Sequence, residues 1–88
     1  MKIFFDPKKA ESNHRKHGIR FSDAEHVLFD SMALTREDDN AEEEQRFVSI
    51  GADSIGRILV VVYTYHGEDV RLISARLATS KEREYYES

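Results

Sequence analysis

Arginine side chains cluster near the end of this chain, beside residues that read as a buried strand. Arg71 and Arg76 flank the sequence Leu-Ile-Ser-Ala, and Arg57 starts an earlier apolar run. Such a strand has all the apolar residues it needs without arginines, and planar guanidinium groups fit phosphate oxygens well. We therefore expect Arg71 and Arg76 to hold phosphates of an RNA or another phosphate-rich ligand, and Arg57 to contribute to substrate binding.

Each of these arginines also has a structural alternative. Arg71 and Arg76 are five positions apart, which is an odd step, so strand alternation predicts that they point to opposite faces of a sheet. One of them would then have a structural role, paired with a helix carboxylate such as Glu82. The same alternative applies to Arg57.

Groups that could transfer protons lie in two predicted helices. Lys16 and His17 close the first helix, and histidine is well matched to proton transfer near neutral pH. The backbone carbonyls at a helix C-terminus also favour cations by themselves, so a structural interpretation stays open for this pair.

The last predicted helix offers a second set of polar groups. Glu82, Arg83 and Tyr86 are three or four residues apart and therefore share one side of that helix. They would complete an active site, with Glu82 as a second candidate for proton transfer and with Arg83 and Tyr86 binding substrate. The alternative is an exposed ion-pair face with Tyr86 against the sheet.

The histidines do not predict a metal site, and no cofactor is expected. His14 and His17 are close enough on a helix to share a metal ion. However, no third ligand stands at a recognisable spacing, and the chain has no cysteine. His66 is interpreted as a turn residue, and His26 as a half-buried residue beside Val27.

Composition limits the class of protein. The 88 residues predict one domain over residues 1–88, and the lack of cysteine excludes disulfides. The longest apolar run, residues 58–63, is too short to cross a bilayer, and no signal-peptide pattern is visible, so a cytoplasmic protein without membrane contact is expected.

The charge is distributed unevenly along the chain. The net charge is -4, yet residues 21–44 hold one base against nine acids. The acidic run at 37–44 reads as a solvated loop or as a contact for a basic partner.

The predicted elements are a strand, two helices, a group of strands and a last helix. Asp6 and Pro7 form a helix start, and Gly18 can end that helix in a left-handed conformation. Ser22 is predicted to cap a second helix through its hydroxyl. The predicted strands are residues 2–5, 46–51, 57–65 and 70–76, with a possible edge strand at 34–36, and the last helix covers 80–87. Short turns between the strands predict an α+β fold with an antiparallel sheet of three to five strands.

The central predicted strand, residues 57–65, is largely apolar in both of its alternating sets. Both faces of the sheet should therefore be covered in the middle. Helices on one face cannot do this alone, so either the last helix crosses to the second face or another protein covers it.

Short motifs that are weak singly but specific in their order run through nearly the whole chain. They are Asp6-Pro7-Lys8-Lys9, Asn13, Lys16-His17-Gly18, Phe21, Ala24, Val27, Ala33-Leu34-Thr35, Glu37-Asp38, Arg46-Phe47, Ile50-Gly51, Gly56-Arg57, Leu59-Val60-Val61-Val62, Thr64, the block 71–76, Ala78, Glu82-Arg83 and Tyr86. In this arrangement the chain resembles the BrnT family of ribonuclease toxins of bacterial type II toxin-antitoxin systems.

The resemblance implies a compact RelE-like fold and an endoribonuclease that inhibits translation. It further implies neutralisation by a BrnA-type antitoxin with a ribbon-helix-helix domain, and contact with DNA only through that antitoxin. The residues are compatible with metal-independent cleavage in which Arg71, Arg76 and Lys16 hold RNA phosphates and His17 or Glu82 transfers protons. An alternative function is a non-catalytic interaction module, in which the arginines bind antitoxin carboxylates within a DNA-bound repressor complex.

Overall fold

A single β-sheet forms the centre of the molecule, with a layer of helices on one face and one further helix that partly covers the other face. The computed structural model describes residues 1–39 and 44–88. Within them the strands are Ile3–Phe4 (β1), Leu34–Glu37 (β2), Phe47–Ala52 (β3), Ile58–His66 (β4) and Asp69–Leu77 (β5). The helices are Pro7–His17 (α1), Phe21–Ala24 (α2) and Ser80–Glu87 (α3), and a 3₁₀ helix, Glu25–Phe29, follows α2 directly. No helix in these described ranges is long and apolar enough to span a membrane.

The bounds of α1 are those that its sequence predicts. Asp6 Oδ1 accepts a hydrogen bond from Lys8 N (2.9 Å), and Pro7 stands in the first turn, where its missing N–H is not needed. At the other end Gly18 takes a left-handed conformation (φ 73°) and donates its N–H to His14 O. Local side-chain and backbone chemistry therefore sets both ends of this helix.

The start of the second helix differs from its prediction. α2 begins at Phe21 rather than after a cap by Ser22, and Arg20 precedes it without any side-chain capping bond. Phe21 and Ala24 are almost completely buried. Because so short a helix has little stability of its own, packing of these two side chains rather than capping determines where it begins.

The sheet has the strand order β1-β5-β4-β3-β2. Strands β2 to β5 form an antiparallel meander, which confirms the predicted α+β fold and the edge strand. β1 differs, because it pairs with β5 in parallel, through Ile3 with Val70 and Phe4 with Arg71. The turn between β4 and β5 contains Gly67 with a positive φ of 63°, as a tight hairpin requires.

The main core lies between the sheet and the layer formed by α1, α2 and the 3₁₀ helix. Leu59, Val61 and Tyr63 of β4 face this layer and are at most 4% exposed. The other members of the core cluster are Ile19, Phe21, Ala24, Val27, Val70, Leu72 and Ala75. The opposite face of the sheet, which carries Val60 and Val62 and is called the open face below, is covered only in part, by α3.

The pairing of β4 with β5 changes register once. Val62 pairs with Ser74, whereas the next residue, Tyr63, pairs with Leu72, so Ile73 has no partner in β4. An extra residue of this kind is a β-bulge, and it reverses the parity of all later positions in its strand. Two residues of β5 that are an odd number of positions apart can therefore point to the same face when the bulge lies between them.

Asn13 closes part of the outer edge of β5, where β1 does not reach. Its Nδ2 donates to Ala75 O (2.8 Å) and to Ile19 O (3.1 Å), and its Oδ1 accepts from Ala75 N (3.1 Å). The amide thus pairs both backbone groups of Ala75 as a neighbouring strand would. Because Asn13 is only 7% exposed, water does not easily replace these bonds.

We expect Asn13→Ala to lower the free energy of unfolding by about 1–3 kcal/mol, because it leaves the N–H and C=O of Ala75 buried and unpaired. Urea denaturation followed by circular dichroism measures this loss. Ser12→Ala, at an exposed neighbouring position of α1, is the control and should change stability by less than about 0.5 kcal/mol. An equal effect of both substitutions would contradict a role of Asn13 in closing the strand edge.

Candidate functional site

The open face contains a groove of about 480 Å³. Its floor is apolar and consists of Val48 and Ile50 of β3 and Val60 and Val62 of β4. The side chains around this floor are Leu34, Thr35, Arg36, Asp38, Ser74, Arg76, Glu82 and Tyr85. An apolar floor with charged and aromatic walls is the usual composition of a ligand site.

The bulge brings Arg71 and Arg76 to this one face. Arg71 pairs with Thr64 and Arg76 with Val60, and these two partners share parity in β4, whose pairing with β3 is regular. The prediction that alternation separates the two arginines is therefore wrong, because the unpaired Ile73 lies between them. The four-residue step in β4 corresponds to about 13 Å along the sheet.

Arg76 is held by α3. Its Nη1 and Nη2 donate to Glu82 Oε1 (2.8 Å) and Oε2 (3.0 Å), and Thr79 N also donates to Oε1 (2.8 Å). The hydrogen bond from Arg76 lowers the pKa of Glu82 to about 2, and the same bond raises the pKa of Arg76. The helix carboxylate proposed as a structural partner is thus present, although 42% of the Arg76 side chain remains exposed.

Arg71 is paired at the other end of the open face. Its Nη2 donates to Glu44 Oε1 (2.7 Å), and Arg46 Nε lies 3.8 Å from the same oxygen. The Nε of Arg71 is 3.5 Å from His66 Nε2. The ring of Phe4 packs edge-on against His66, with 5.5 Å between centroids. These four polar residues, Glu44, Arg46, His66 and Arg71, form what we call the Arg71 cluster.

Lys16 and His17 are not part of either arrangement. They end α1, in the helical layer behind the sheet, where Lys16 is exposed and His17 is half-buried. Among the described residues no hydrogen bond or ion pair joins either side chain to Arg71 or Arg76. Their part in catalysis therefore stays a prediction.

Arg57 and Arg83 lie at a separate cleft of about 440 Å³ beside α3. Arg57 Nε donates to Asp53 Oδ2 (2.7 Å), and its Nη2 is 3.5 Å from Asp23 Oδ2. Asp53 also accepts from the backbone N–H of Arg57 (2.8 Å), so this ion pair closes the β3–β4 turn. Arg83 is exposed, and it is the more accessible of the two for a ligand.

The two adjacent tyrosines of α3 have different environments. Tyr86 Oη donates to Asp30 Oδ2 (2.5 Å), which also accepts from Ala52 N (2.9 Å). The Tyr86–Asp30 hydrogen bond is the main cause of the raised pKa of Tyr86 and the lowered pKa of Asp30. Tyr85 instead lines the groove and is 66% exposed. Tyr86 therefore fixes the position of α3, whereas Tyr85 is accessible to a ligand.

Four side chains of the open face were not selected from the sequence as site residues: Arg36, Arg46, His66 and Tyr85. Arg36 and Arg46 could have been found, because Arg36 pairs with Val48 and Arg46 is two residues before Val48, so both follow the alternation of the apolar floor. His66 reads as a turn residue, and it is in fact the last residue of β4. Tyr85 could not be distinguished from Tyr86, because only the docking of α3 on the sheet separates them.

The acidic segment is only partly described. Glu42 and Glu43 of the predicted acidic run lie outside the described residues. Glu37 ends β2 and accepts from Gln45 (3.0 Å), and Glu44 belongs to the Arg71 cluster. Within residues 1–39 and 44–88, no group of three or more His, Asp or Glu side chains is arranged to hold a metal ion.

Comparison with known proteins assigns this architecture. The family model described as "Ribonuclease toxin, BrnT, of type II toxin-antitoxin system" matches residues 5–82. The crystal structure of the Brucella abortus ribonuclease toxin BrnT has a TM-score of 0.70 and 30% sequence identity to this chain, covering 91% of this chain and 99% of that one. Comparison with curated proteins gives no match.

Sheet, helices and matched sequence together define a small α+β protein of the ribonuclease toxin class. The chain belongs to the BrnT family of type II toxin-antitoxin systems. The resemblance drawn from the sequence motifs is therefore confirmed, and membership of such a system implies an antitoxin as partner.

The Arg76–Glu82 pair predicts a loss of stability in acid. Because the folded pKa of Glu82 (about 2) lies below its ordinary value of 4.5, the pair contributes fully above pH 4.5 and its contribution is lost as the pH falls toward 2. We expect Glu82→Gln to lower the free energy of unfolding by about 1 kcal/mol at neutral pH, after allowance for solvent screening, and by much less near pH 2. Urea denaturation over this pH range measures the difference, with the exposed Glu84→Gln as control. A difference that does not vary with pH would contradict the ion pair as its cause.

Proposed function

We propose that this chain is a cytoplasmic, metal-independent endoribonuclease whose active site lies on the open face. The observation that carries the proposal is that Arg71 and Arg76 share this face. Two arginines whose positions lie about 13 Å apart along the sheet can hold separate phosphates of one backbone, which aligns a bound strand with the sheet. The family description, ribonuclease toxin, supplies the class of reaction.

The proposed reaction is transesterification within the RNA strand. The ribose 2′-hydroxyl loses its proton and its oxygen forms a bond to the adjacent phosphorus, while the bond from phosphorus to the 5′-oxygen breaks. The leaving 5′-oxygen gains a proton, and the products carry a 2′,3′-cyclic phosphate and a free 5′-hydroxyl. Negative charge increases on the phosphate oxygens in the transition state, and fixed guanidinium groups stabilise it there.

The open face favours His66 over the two groups chosen from the sequence for proton transfer. A pKa of about 2 keeps Glu82 ionised near neutral pH, so it cannot act as the acid, and it can accept a proton only after it leaves Arg76. His17 lies behind the sheet. His66 is 3.5 Å from Arg71, within reach of a phosphate that this arginine would hold, and histidine is the side chain best matched to acid-base work near neutral pH.

The groove beside Arg76 supports single-stranded RNA as substrate. Its apolar floor and the exposed ring of Tyr85 can receive an unstacked base, whereas the bases of a duplex are not available for stacking. In this proposal Tyr85 takes the substrate-binding role predicted for Tyr86. Arg83 and Arg57 would contact the strand only if it continues past α3 into the second cleft.

The proposed partner is a BrnA-type antitoxin with a ribbon-helix-helix domain, which contacts DNA on behalf of the complex. This part rests on the family resemblance and on the type II system named for the family.

One observation favours the second candidate, a non-catalytic interaction module. Arg57, Arg71 and Arg76 are each paired with a carboxylate of the chain. Arginines that already bind carboxylates could exchange them for those of an antitoxin. This alternative predicts neither RNA cleavage by the pure protein nor growth arrest when it is expressed without its partner.

We expect the purified protein to cleave single-stranded RNA in the presence of EDTA. Arg71→Ala should lower the cleavage rate about 100- to 1000-fold, because it removes a cation from the developing charge. Cleavage is measured by gel electrophoresis of an end-labelled RNA, which also identifies the cyclic phosphate end.

The matched control is Arg15→Ala, which removes the same charge from the exposed surface of α1 and should retain nearly full activity. Circular dichroism shows whether each variant is folded. Activity that EDTA abolishes would overturn metal independence. An Arg71→Ala variant as active as Arg15→Ala would move the active site away from the open face.

Tyr85→Ala should weaken binding of single-stranded RNA by about 5- to 150-fold, since stacking of one base on an aromatic ring contributes about 1–3 kcal/mol. Tyr85→Phe should bind nearly as well as the wild type, because the ring is retained. Phe29→Ala is the control, as Phe29 is equally exposed (66%) but ends the 3₁₀ helix behind the sheet. Fluorescence anisotropy measures the affinities, and equal losses for Tyr85→Ala and Phe29→Ala would contradict stacking in the groove.

A further inference from the structure

The Arg71 cluster contains two guanidinium groups directed at one carboxylate oxygen. Glu44 Oε1 accepts from Arg71 Nη2 at 2.7 Å, and Arg46 Nε is 3.8 Å away from it. Among the described residues these two arginines are the only partners of the Glu44 carboxylate. Two cations that converge on one oxygen form an anion site, since like charges so close together are favourable only when an anion lies between them.

Glu44 differs in this respect from Glu82, the other carboxylate on the open face. Glu82 is fixed by both nitrogens of Arg76 and by the backbone of Thr79, and it belongs to the N-terminal cap of α3. Its release would free the start of that helix. Glu44 accepts no backbone hydrogen bond in the described structure, and its side chain is 36% exposed. Its removal from the arginines disrupts no element of the fold.

From this difference we propose that Arg46 and Arg71 form a phosphate-binding site that Glu44 occupies in the free protein, and that an RNA phosphate displaces it. The inference rests on the proposed function and adds Arg46 as a binding residue. A phosphodiester carries the same single negative charge as the carboxylate and offers two oxygens to planar donors. The exchange therefore replaces one anion by another, and one negative charge stays between the two guanidinium groups throughout.

This exchange explains how a chain of net charge -4 can bind a polyanion on a face where carboxylates neutralise the arginines. Each carboxylate of the chain that pairs with an arginine competes with RNA for it. The affinity for RNA is therefore lower than it would be if all the arginines were unpaired. Glu44, the competing carboxylate, belongs to the acidic segment, which was predicted to be either a solvated loop or a contact for a basic partner. His66, 3.5 Å from Arg71, would then lie beside the incoming phosphate.

The test compares Glu44→Gln with Glu11→Gln, which makes the same change of charge on exposed α1. Two probes are used, a single-stranded 2′-O-methyl oligonucleotide, which lacks the attacking hydroxyl, and inorganic pyrophosphate. Anisotropy gives the dissociation constant for the first and calorimetry for the second, both at low ionic strength. We expect Glu44→Gln to bind both probes about two- to fivefold more tightly than Glu11→Gln, the range for loss of one partly exposed ion pair.

A second variant locates the gain. Adding Arg46→Ala to Glu44→Gln should remove the gain for both probes, and it should reduce the slope of log affinity against log salt for the oligonucleotide by about 0.7. Circular dichroism and urea denaturation establish that the variants are folded. Retention of the full gain without Arg46 would overturn its assignment to the site.

The remaining outcomes separate this inference from the proposed function. If Glu44→Gln and Glu11→Gln bind both probes equally, the occupied site is wrong, while RNA cleavage that depends on Arg71 would still stand. If the gain appears with pyrophosphate but no variant binds the oligonucleotide, the anion site is supported and RNA as its ligand is overturned.

Discussion

The pairing between β4 and β5 is the constraint on which both faces of this protein depend. One unpaired residue, Ile73, lets apolar side chains on both sides of it reach the main core. The same bulge places Arg71 and Arg76 together on the open face. Without this bulge, a β5 that buried the apolar side chains of one half would expose those of the other half. One of the two arginines would then enter the helix-covered core, at the high cost of an uncompensated buried charge.

The open face is held together by the charges that are proposed to act on RNA. Arg76 binds α3 through Glu82, and Tyr86 binds the same helix to Asp30, so α3 has a polar anchor near each of its ends. A ligand that took Arg76 completely would loosen α3. Arg71 does not hold a helix in place, because its carboxylate partner, Glu44, lies in a segment outside the sheet. The two arginines are therefore not equivalent, although the sequence presents them alike.

Much of the fold could be predicted because its signals are local. Asp6, Pro7 and Gly18 mark the ends of α1, and the spacing of turns indicates the meander. The failures occurred where packing decides between local options. The Ser22 hydroxyl is a reasonable cap, yet burial of Phe21 starts the helix one residue earlier. For the site, arginine-rich β5 and its carboxylate partner in α3 were predicted, while the Arg71 cluster was not, since its members come from three separate parts of the chain.

The sequence by itself determined the elements, the α+β class, the family and the residue types available for phosphate chemistry, because these follow from periodicity, turn residues and the order of motifs. Only the tertiary structure decided which arginines face the same way, which tyrosine is free and which carboxylate meets which cation. The physical reason is that Leu72 to Ala75 is apolar or small throughout, so the strand fits the core in more than one register. Its pairing with β4 and the side-chain amide of Asn13 on Ala75 select one of them.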